Sequence, residues 1–182
     1  NISNVTRAIQ HLGYDVILTC NDKDVQKAEA IVLPGVGHFQ DAMHSIEEKS
    51  IKDMLKNIHD KPVIGICLGM QLLFQHSAEG DVSGLELVPG NIVPIQSSHP
   101  IPHLGWNELK STHPLLQSDV YFVHSYQAEM SEYVVAYADY GTKIPGVIQY
   151  RNYIGIQFHP EKSGTYGLEI LNQALKGGFI ND

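Results

Sequence analysis

The stretch Lys61-Pro-Val-Ile-Gly-Ile-Cys-Leu-Gly-Met-Gln-Leu-Leu-Phe74 decides how this chain is read. Val63 to Ile66 is a short apolar run of the kind that forms a buried strand. It passes into Cys67 and then into apolar positions with helical spacing at Leu68, Leu72 and Leu73. A cysteine between strand and helix, with Gly65 and Gly69 two residues away on either side, has the form of a nucleophile elbow with sulfur in place of oxygen. Such a turn projects its side chain at the carboxyl edge of a sheet. The unpaired N–H groups and positive dipole end of the following helix favour a thiolate there. A buried, inert cysteine in a βα turn is the alternative that this segment alone leaves open.

The chain around it has 182 residues, 43% of them hydrophobic, enough for one domain (residues 1–182) with a sizeable core. A net charge of −8, with Lys and Arg scattered, provides no basic stripe for a phosphate backbone, so nucleic acid is not an expected partner. Two cysteines, Cys20 and Cys67, are too few for a disulfide scaffold and fit a reducing cytoplasm. No apolar run reaches the roughly 18 residues of a membrane helix, so no membrane partner is expected. The ten histidines are dispersed, and His99 and His103 are separated by two prolines, so neither a metal nor a cofactor is expected.

The segments before Cys67 alternate between helix and strand. Ser3 or Asn4 caps a helix with an apolar face at Val5, Ala8, Ile9 and Leu12, closed by Gly13. Val16 to Leu18 reads as a strand, Val25 to Ala30 as a short helix, and Ile31 to Leu33 as a buried strand ended by Pro34-Gly35-Val36-Gly37. Asp41 caps one longer helix carrying Met43, Ile46, Met54, Leu55 and Ile58. After about Leu85, closely spaced apolar runs follow: Leu85 to Ile95, Val120 to Tyr126, Tyr133 to Ala138, Gly146 to Tyr150 and Ile154 to Phe158. Short spacing makes these antiparallel additions. A final helix spans Tyr166 to Leu175. The expected fold is therefore α/β, a three-layer open mixed sheet. In such sheets the first helix crosses over from a preceding strand, so a first strand is expected upstream of Asn1.

A reactive cysteine needs a base and a group to orient that base. Ile154 to Phe158 is read as a strand delivering His159 to the same sheet edge as Cys67, with Pro160 stopping it. Glu161 follows two residues later, where a carboxylate can fix the imidazole tautomer. Pro34-Gly35-Val36-Gly37 is a loop whose amides can approach a ligand closely. With the N–H of Leu68, it would supply the donors that an oxyanion requires.

Gly-Ile-Cys-Leu-Gly-Met-Gln (65–71), with Pro-Gly-Val-Gly (34–37) upstream and His-Pro-Glu (159–161) downstream, resembles the class I (triad) glutamine amidotransferases, whose fold is flavodoxin-like. Pro-His-Leu-Gly-Trp-Asn (102–107), Tyr-Phe-Val-His-Ser-Tyr (121–126) and His-Pro-Glu-Lys-Ser-Gly (159–164) are similar to the glutaminase subunits of imidazole glycerol phosphate synthases, the histidine-biosynthesis enzymes. The resemblance spans nearly the whole chain in motif order. It departs at the front, where family members begin with an apolar strand and an Asp-Tyr-Gly-x-Gly-Asn turn.

The resemblance implies that Cys67 attacks the side-chain amide of L-glutamine, His159 transfers the proton and Glu161 orients His159. Val36 and Leu68, with Gly35 and Gly37, would form the oxyanion hole; family members become active when their partner binds its substrate, and Gly35 makes a flip of the 35–36 peptide, turning the Val36 N–H toward or away from the site, sterically cheap. Gly35, Gln71, Glu79, His124, Ser125 and Tyr126 would bind glutamine. Trp106, Asn107 and Lys162 would face a (β/α)8-barrel cyclase that receives the ammonia in a heterodimer. The glutaminase subunits of anthranilate, aminodeoxychorismate or pyridoxal phosphate synthesis, and a non-catalytic scaffold of the same fold, are the other readings. The Gly105-Trp106-Asn107 and His124-Ser125-Tyr126-Gln127 segments favour the histidine pathway, and the presence of Cys67, His159 and Glu161 disfavours a scaffold.

Overall fold

A computed structural model describes residues 2–35, 37–48 and 50–180. The N-terminal half forms α1 (Ile2–His11), α2 (Asp22–Lys27), β1 (Ile31–Gly35), α3 (Phe39–Glu48), α4 (Ile51–Lys56), β2 (Val63–Cys67) and α5 (Leu68–Leu72). Two short strands, β3 (His76–Ser77) and β4 (Val82–Ser83), lead into β5 (Asn91–Pro94). Then come β6 (His103–Lys110), β7 (Asp119–His124), β8 (Tyr126–Ala128), β9 (Val134–Asp139), β10 (Lys143–Tyr150) and β11 (Tyr153–Ile156). A 3₁₀ turn (Pro160–Lys162) and α6 (Gly164–Leu175) complete the described chain.

The main sheet has seven strands in the order β1-β2-β11-β10-β9-β6-β7. β1, β2 and β11 run parallel, with Gly35 opposite Cys67 and Ile156 opposite Ile66. From β10 onward each strand pairs antiparallel with its neighbour. A smaller sheet, β4-β3-β5-β8, lies beside it. The mixed α/β sheet expected from the sequence is the observed one.

β2 explains the layering. Its side chains alternate, so Ile64 and Ile66 join Val5, Ala8 and Ile9 of α1 and Ile170, Leu171 and Ala174 of α6 on one face. Val63 joins Phe39, Met43, Leu55, Met70 and Leu72 on the other, where α3, α4 and α5 pack. A strand covered on both faces reads as an unbroken apolar run. Each fully buried aliphatic side chain here contributes roughly 1.5–3 kcal/mol of transfer free energy. Lys61 fastens the start of β2 to α2, its ammonium donating to the carbonyls of Val25, Gln26 and Ala28.

Several expectations are corrected. Val16 to Leu18 forms no strand: it pairs with no strand among the described residues, and Ile17 and Leu18 are 70% and 71% exposed. Without a ladder, three β-prone residues cannot offset the entropy of ordering them. Helix α1 starts at Ile2, so Ser3 and Asn4 lie in its first turn rather than capping it, and α2 starts at Asp22, capped by Asn21, rather than at Val25. The single helix expected after Asp41 is two, α3 and α4, separated by Ser50 in the left-handed region at φ 56°. Asp41 lies in the first turn of α3 and does not cap it. The run Val120 to Tyr126 is divided at Ser125 between β7 and β8, in different sheets. Within Leu85 to Ile95 only Asn91–Pro94 is strand, and β11 ends at Ile156, two residues short of Phe158.

Strand β6 was not expected, because its alternation is inverted. Its inward positions hold His103, Gly105 and Asn107, while Leu104 and Trp106 face outward. An apolar periodicity read as core would place this strand upside down.

Candidate active site

The elbow begins with three glycines that let backbones touch. A Cβ on Gly69 would sit 1.9 Å from the Leu33 carbonyl oxygen, one on Gly65 2.4 Å from the Gly69 oxygen, and one on Gly35 2.2 Å from the Gly69 nitrogen. β1, β2 and α5 therefore meet with no side chain between them. Gly35 is required by this contact, so any side chain there disrupts the elbow whatever the 35–36 peptide does. Cys67, at the junction, has φ 55° and ψ −112°, a conformation that an L-residue adopts only when its surroundings impose it. Its Sγ lies 3.9 Å from the Val123 carbonyl oxygen and 4.0 Å from Gln157 Nε2.

His159 arrives from the end of β11 and is itself nearly buried. Its backbone N–H donates to the Tyr121 carbonyl at 2.9 Å, which ties it to β7. Ser163 reinforces that tie: its hydroxyl donates to the His159 carbonyl at 2.6 Å and accepts from the Tyr121 N–H at 3.0 Å. The His159 side chain hydrogen-bonds through Nδ1 to Glu161 Oε1 at 2.8 Å, and Cys67 is close enough to act on its charge. Pro160 opens the 3₁₀ turn, which places Glu161 within reach of the ring two residues earlier. Glu161 Oε2 is buried without a hydrogen-bond partner among the described residues, so the carboxylate is directed at the imidazole alone.

Burial is the largest single influence on His159 and lowers its pKa, but the hydrogen bonds and charges of Cys67 and Glu161 together raise it to about 9. A folded value above the ordinary 6.5 stabilises the fold fully below pH 6.5, and this contribution is lost as pH rises through about 9. Glu161→Gln removes one of the raising partners. It should cost about 1–2 kcal/mol near neutral pH and move the alkaline loss to lower pH. Denaturant unfolding across this range measures both, and an unaltered pH dependence would show that Glu161 does not hold the ring's proton.

The remaining residues singled out by sequence fall into three groups. Gln71 is buried, and both its amide hydrogens are used, Nε2 donating to the Tyr126 carbonyl at 2.9 Å and to Gln157 Oε1 at 3.1 Å. His124 Nδ1 lies 2.8 Å from that same Tyr126 carbonyl, and the Ser125 carbonyl accepts from the Ile95 N–H at 3.0 Å. Gln71, His124, Ser125 and Tyr126 are thus brought together. Glu79 is turned to the start of α3, with Oε1 3.4 Å from the Phe39 N–H and 3.5 Å from His38 Nε2. It therefore sits against the segment directly after the 34–37 loop.

In that loop, Gly37 has φ +88° and open space around it, Leu68 opens α5, and Val36 lies outside the described residues. Trp106 is 58% exposed and stacks edge-on against Tyr121 at 5.9 Å, and Lys162 is exposed on the 3₁₀ turn. Asn107 points to the opposite face of β6, toward His103. Sequence reasoning missed Gln157 and His103. Gln157 lies within a run that reads as core strand, and His103 enters the sequence reading only as a rejected metal ligand and as one letter of the 102–107 motif.

Residues 1–176 match the family model for glutamine amidotransferase class-I. Imidazole glycerol phosphate synthase subunit HisH of Staphylococcus epidermidis is 99% identical over 182 residues, covering 100% of this chain and 95% of that protein. The protein of the same name from Staphylococcus saprophyticus is 65% identical, covering 100% and 92%. A solved glutamine amidotransferase superposes with TM-score 0.79 at 16% identity, covering 97% of this chain and 94% of that one. At this identity the solved structure speaks for the fold. Family match and sequence relatives alike span the elements that converge on Cys67, and on that ground the chain belongs to the class-I glutamine amidotransferases.

Proposed function

We propose that this chain, acting as one domain, is the glutamine-hydrolysing subunit of an imidazole glycerol phosphate synthase in histidine biosynthesis. The observation that carries this reading is the 99% identity to a subunit of that synthase over the whole chain, and the convergence of Cys67, His159 and Glu161 supports it chemically. In this reading Cys67 Sγ adds to the carboxamide carbon of L-glutamine, and His159 carries the thiol proton to the departing nitrogen. Ammonia leaves and a thioester remains. Water, deprotonated by His159, then adds to the thioester, releasing glutamate and restoring the thiol. Glu161 holds the imidazole in one tautomer through Nδ1, leaving Nε2 to move the proton.

The negative oxygen formed in each addition needs N–H donors aimed at it. Leu68 at the start of α5 and the Val36 amide, between Gly35 and Gly37, are assigned that role. Gln71, Glu79 and the backbone at His124, Ser125 and Tyr126, with Gly35, hold the amino-acid end of the substrate. The occupied hydrogens of Gln71 make it a wall of that pocket, built together with Tyr126.

Ammonia released into water is lost to protonation, so a synthase subunit delivers it to a second protein, a (β/α)8-barrel cyclase in this proposal. Leu104 and Trp106 expose 59% and 58% of their surface on the outer face of β6, and Lys162 is exposed on the 3₁₀ turn that packs against β7. Isolated large aromatics on such faces are frequent binding anchors. Trp106→Ala is expected to weaken association with the cyclase by about 30-fold. A change below about threefold in titration calorimetry would remove Trp106 from the interface. The function itself is tested by adding the purified cyclase, its ribonucleotide substrate and glutamine. Imidazole glycerol phosphate formed from glutamine is the expected result, and turnover only with a chorismate-using partner would overturn the assignment.

A further inference from the structure

His103 and His124 face one another directly across β6 and β7. Both are buried, at 2% and 7% exposure. Their rings are joined by a bond of 2.9 Å between His103 Nδ1 and His124 Nε2. Two imidazoles can share one hydrogen bond only if one donates and the other accepts, so their protons must be ordered.

The surrounding groups dictate that order. His124 Nδ1 lies 2.8 Å from the Tyr126 carbonyl, which only accepts, so Nδ1 carries the proton. A neutral His124 then has a bare Nε2, which accepts from His103 Nδ1–H. His103 Nε2 is in turn bare, and Asn107 Nδ2 lies 3.2 Å away as its donor. The second Asn107 amide hydrogen goes to the Asp139 carbonyl at 3.1 Å, which sets the orientation of the amide. Burial keeps both rings neutral, lowering His103 to about 4 and His124 to about 3. His103 is also clamped between Phe122 and Tyr140, with ring centroids 4.4 and 4.1 Å away.

The chain ends on a carbonyl that has a second donor. Tyr126 O also accepts from Gln71, whose other amide hydrogen goes to Gln157, which reaches Cys67 Sγ at 4.0 Å. Two arms thus converge on one carbonyl, the histidine arm from the β6 strand and the glutamine arm from the cysteine. We propose that His103 and His124 are positioning residues for glutamine, holding the Tyr126 carbonyl, and through it the Gln71 amide, in the arrangement that receives the substrate. This inference rests on the glutaminase reading and adds to it the side chains of His103 and His124, acting through the Tyr126 carbonyl rather than by contact with the reacting atoms.

The test uses the chain with its cyclase partner and a chloroketone analogue of glutamine that alkylates Cys67. Its concentration dependence separates binding (KI) from the maximal labelling rate. His124→Phe keeps an aromatic ring but loses both hydrogen bonds, and should raise KI about tenfold with the maximal rate within about twofold. His124→Asn places an amide N–H where Nδ1–H was, and should bring KI back to within about twofold of wild type. A purely structural role would instead impair both variants alike, in rate and in melting temperature. An unchanged KI in folded His124→Phe, or no recovery in His124→Asn, overturns the proposal. If His124→Phe does not fold, His103→Phe, which preserves the stacking on Phe122 and Tyr140, must raise KI at least about threefold, and an unchanged KI again overturns it. Failure of the wild type to label would sink the glutaminase reading and this proposal with it. Labelling that is equal in all variants would sink only this proposal.

Discussion

Cys67→Ala is expected to reduce glutamine hydrolysis by about 10⁴-fold or more, because no other group in the site can form the thioester. In the proposed complex with a cyclase, this variant should still make imidazole glycerol phosphate from added ammonium salt, because that proposal assigns the cyclase chemistry to the partner. Retained glutamine-dependent turnover would refute the role of Cys67. The elbow geometry adds a second readout. At φ 55° and ψ −112°, Cys67 occupies a conformation that favours glycine. Cys67→Gly should therefore be as inactive as Cys67→Ala yet more stable by about 1–2 kcal/mol, because it removes the backbone strain. Equal stability of the two variants in urea unfolding would show that the strain is absorbed elsewhere.

Gly69→Ala should be the most damaging small substitution in the fold. The added methyl would lie 1.9 Å from the Leu33 carbonyl oxygen and 2.9 Å from its carbon, both backbone atoms of β1. No rotamer change relieves a clash with backbone, so α5 must move away from the sheet. That movement carries the first turn of the helix, and with it Cys67 and Leu68, out of register with His159. A loss of about 3 kcal/mol or more is expected, at or beyond the upper end for overpacked cores. Gly37→Ala is the comparison: Gly37, unlike Gly69, has a positive φ, +88°, and nothing lies within 4 Å of its added methyl. It should cost only about 1 kcal/mol, from backbone conformation alone. Similar losses in the two variants would mean that close approach of β1 and α5 is not what Gly69 provides.

The contrast between these glycines shows where sequence reading reaches its limit. Gly65 and Gly69 are legible as the flanks of an elbow, because spacing about a cysteine is a local property. That Gly69 abuts Leu33, a residue 36 positions earlier, depends on β1 pairing beside β2, which no local pattern encodes. The same holds for Val16 to Leu18, which reads as a strand but has no strand neighbour among the described residues to complete one. β6 fails in the opposite sense. Its core side holds His103 and Asn107, and its solvent side holds Leu104 and Trp106, so the usual assignment of apolar to inside points the wrong way. That inversion is the sequence trace of an outer apolar face and an inner polar chain.

By itself, the sequence determined the α/β class, the Cys67 elbow, the identity of His159 and Glu161 as complementary groups, and membership of the amidotransferase family. These follow from short-range spacing, apolar periodicity and motif order, all of which survive without coordinates. Tertiary structure alone decided that Gln71, His124 and Gln157 are joined through the Tyr126 carbonyl and the Cys67 thiol, that Asn107 turns inward while Trp106 turns out, and that His103 and His124 share ordered protons. Hydrogen bonds between residues 21 to 90 positions apart exist only once the strands are registered. A buried polar group must find its partner wherever the register places one.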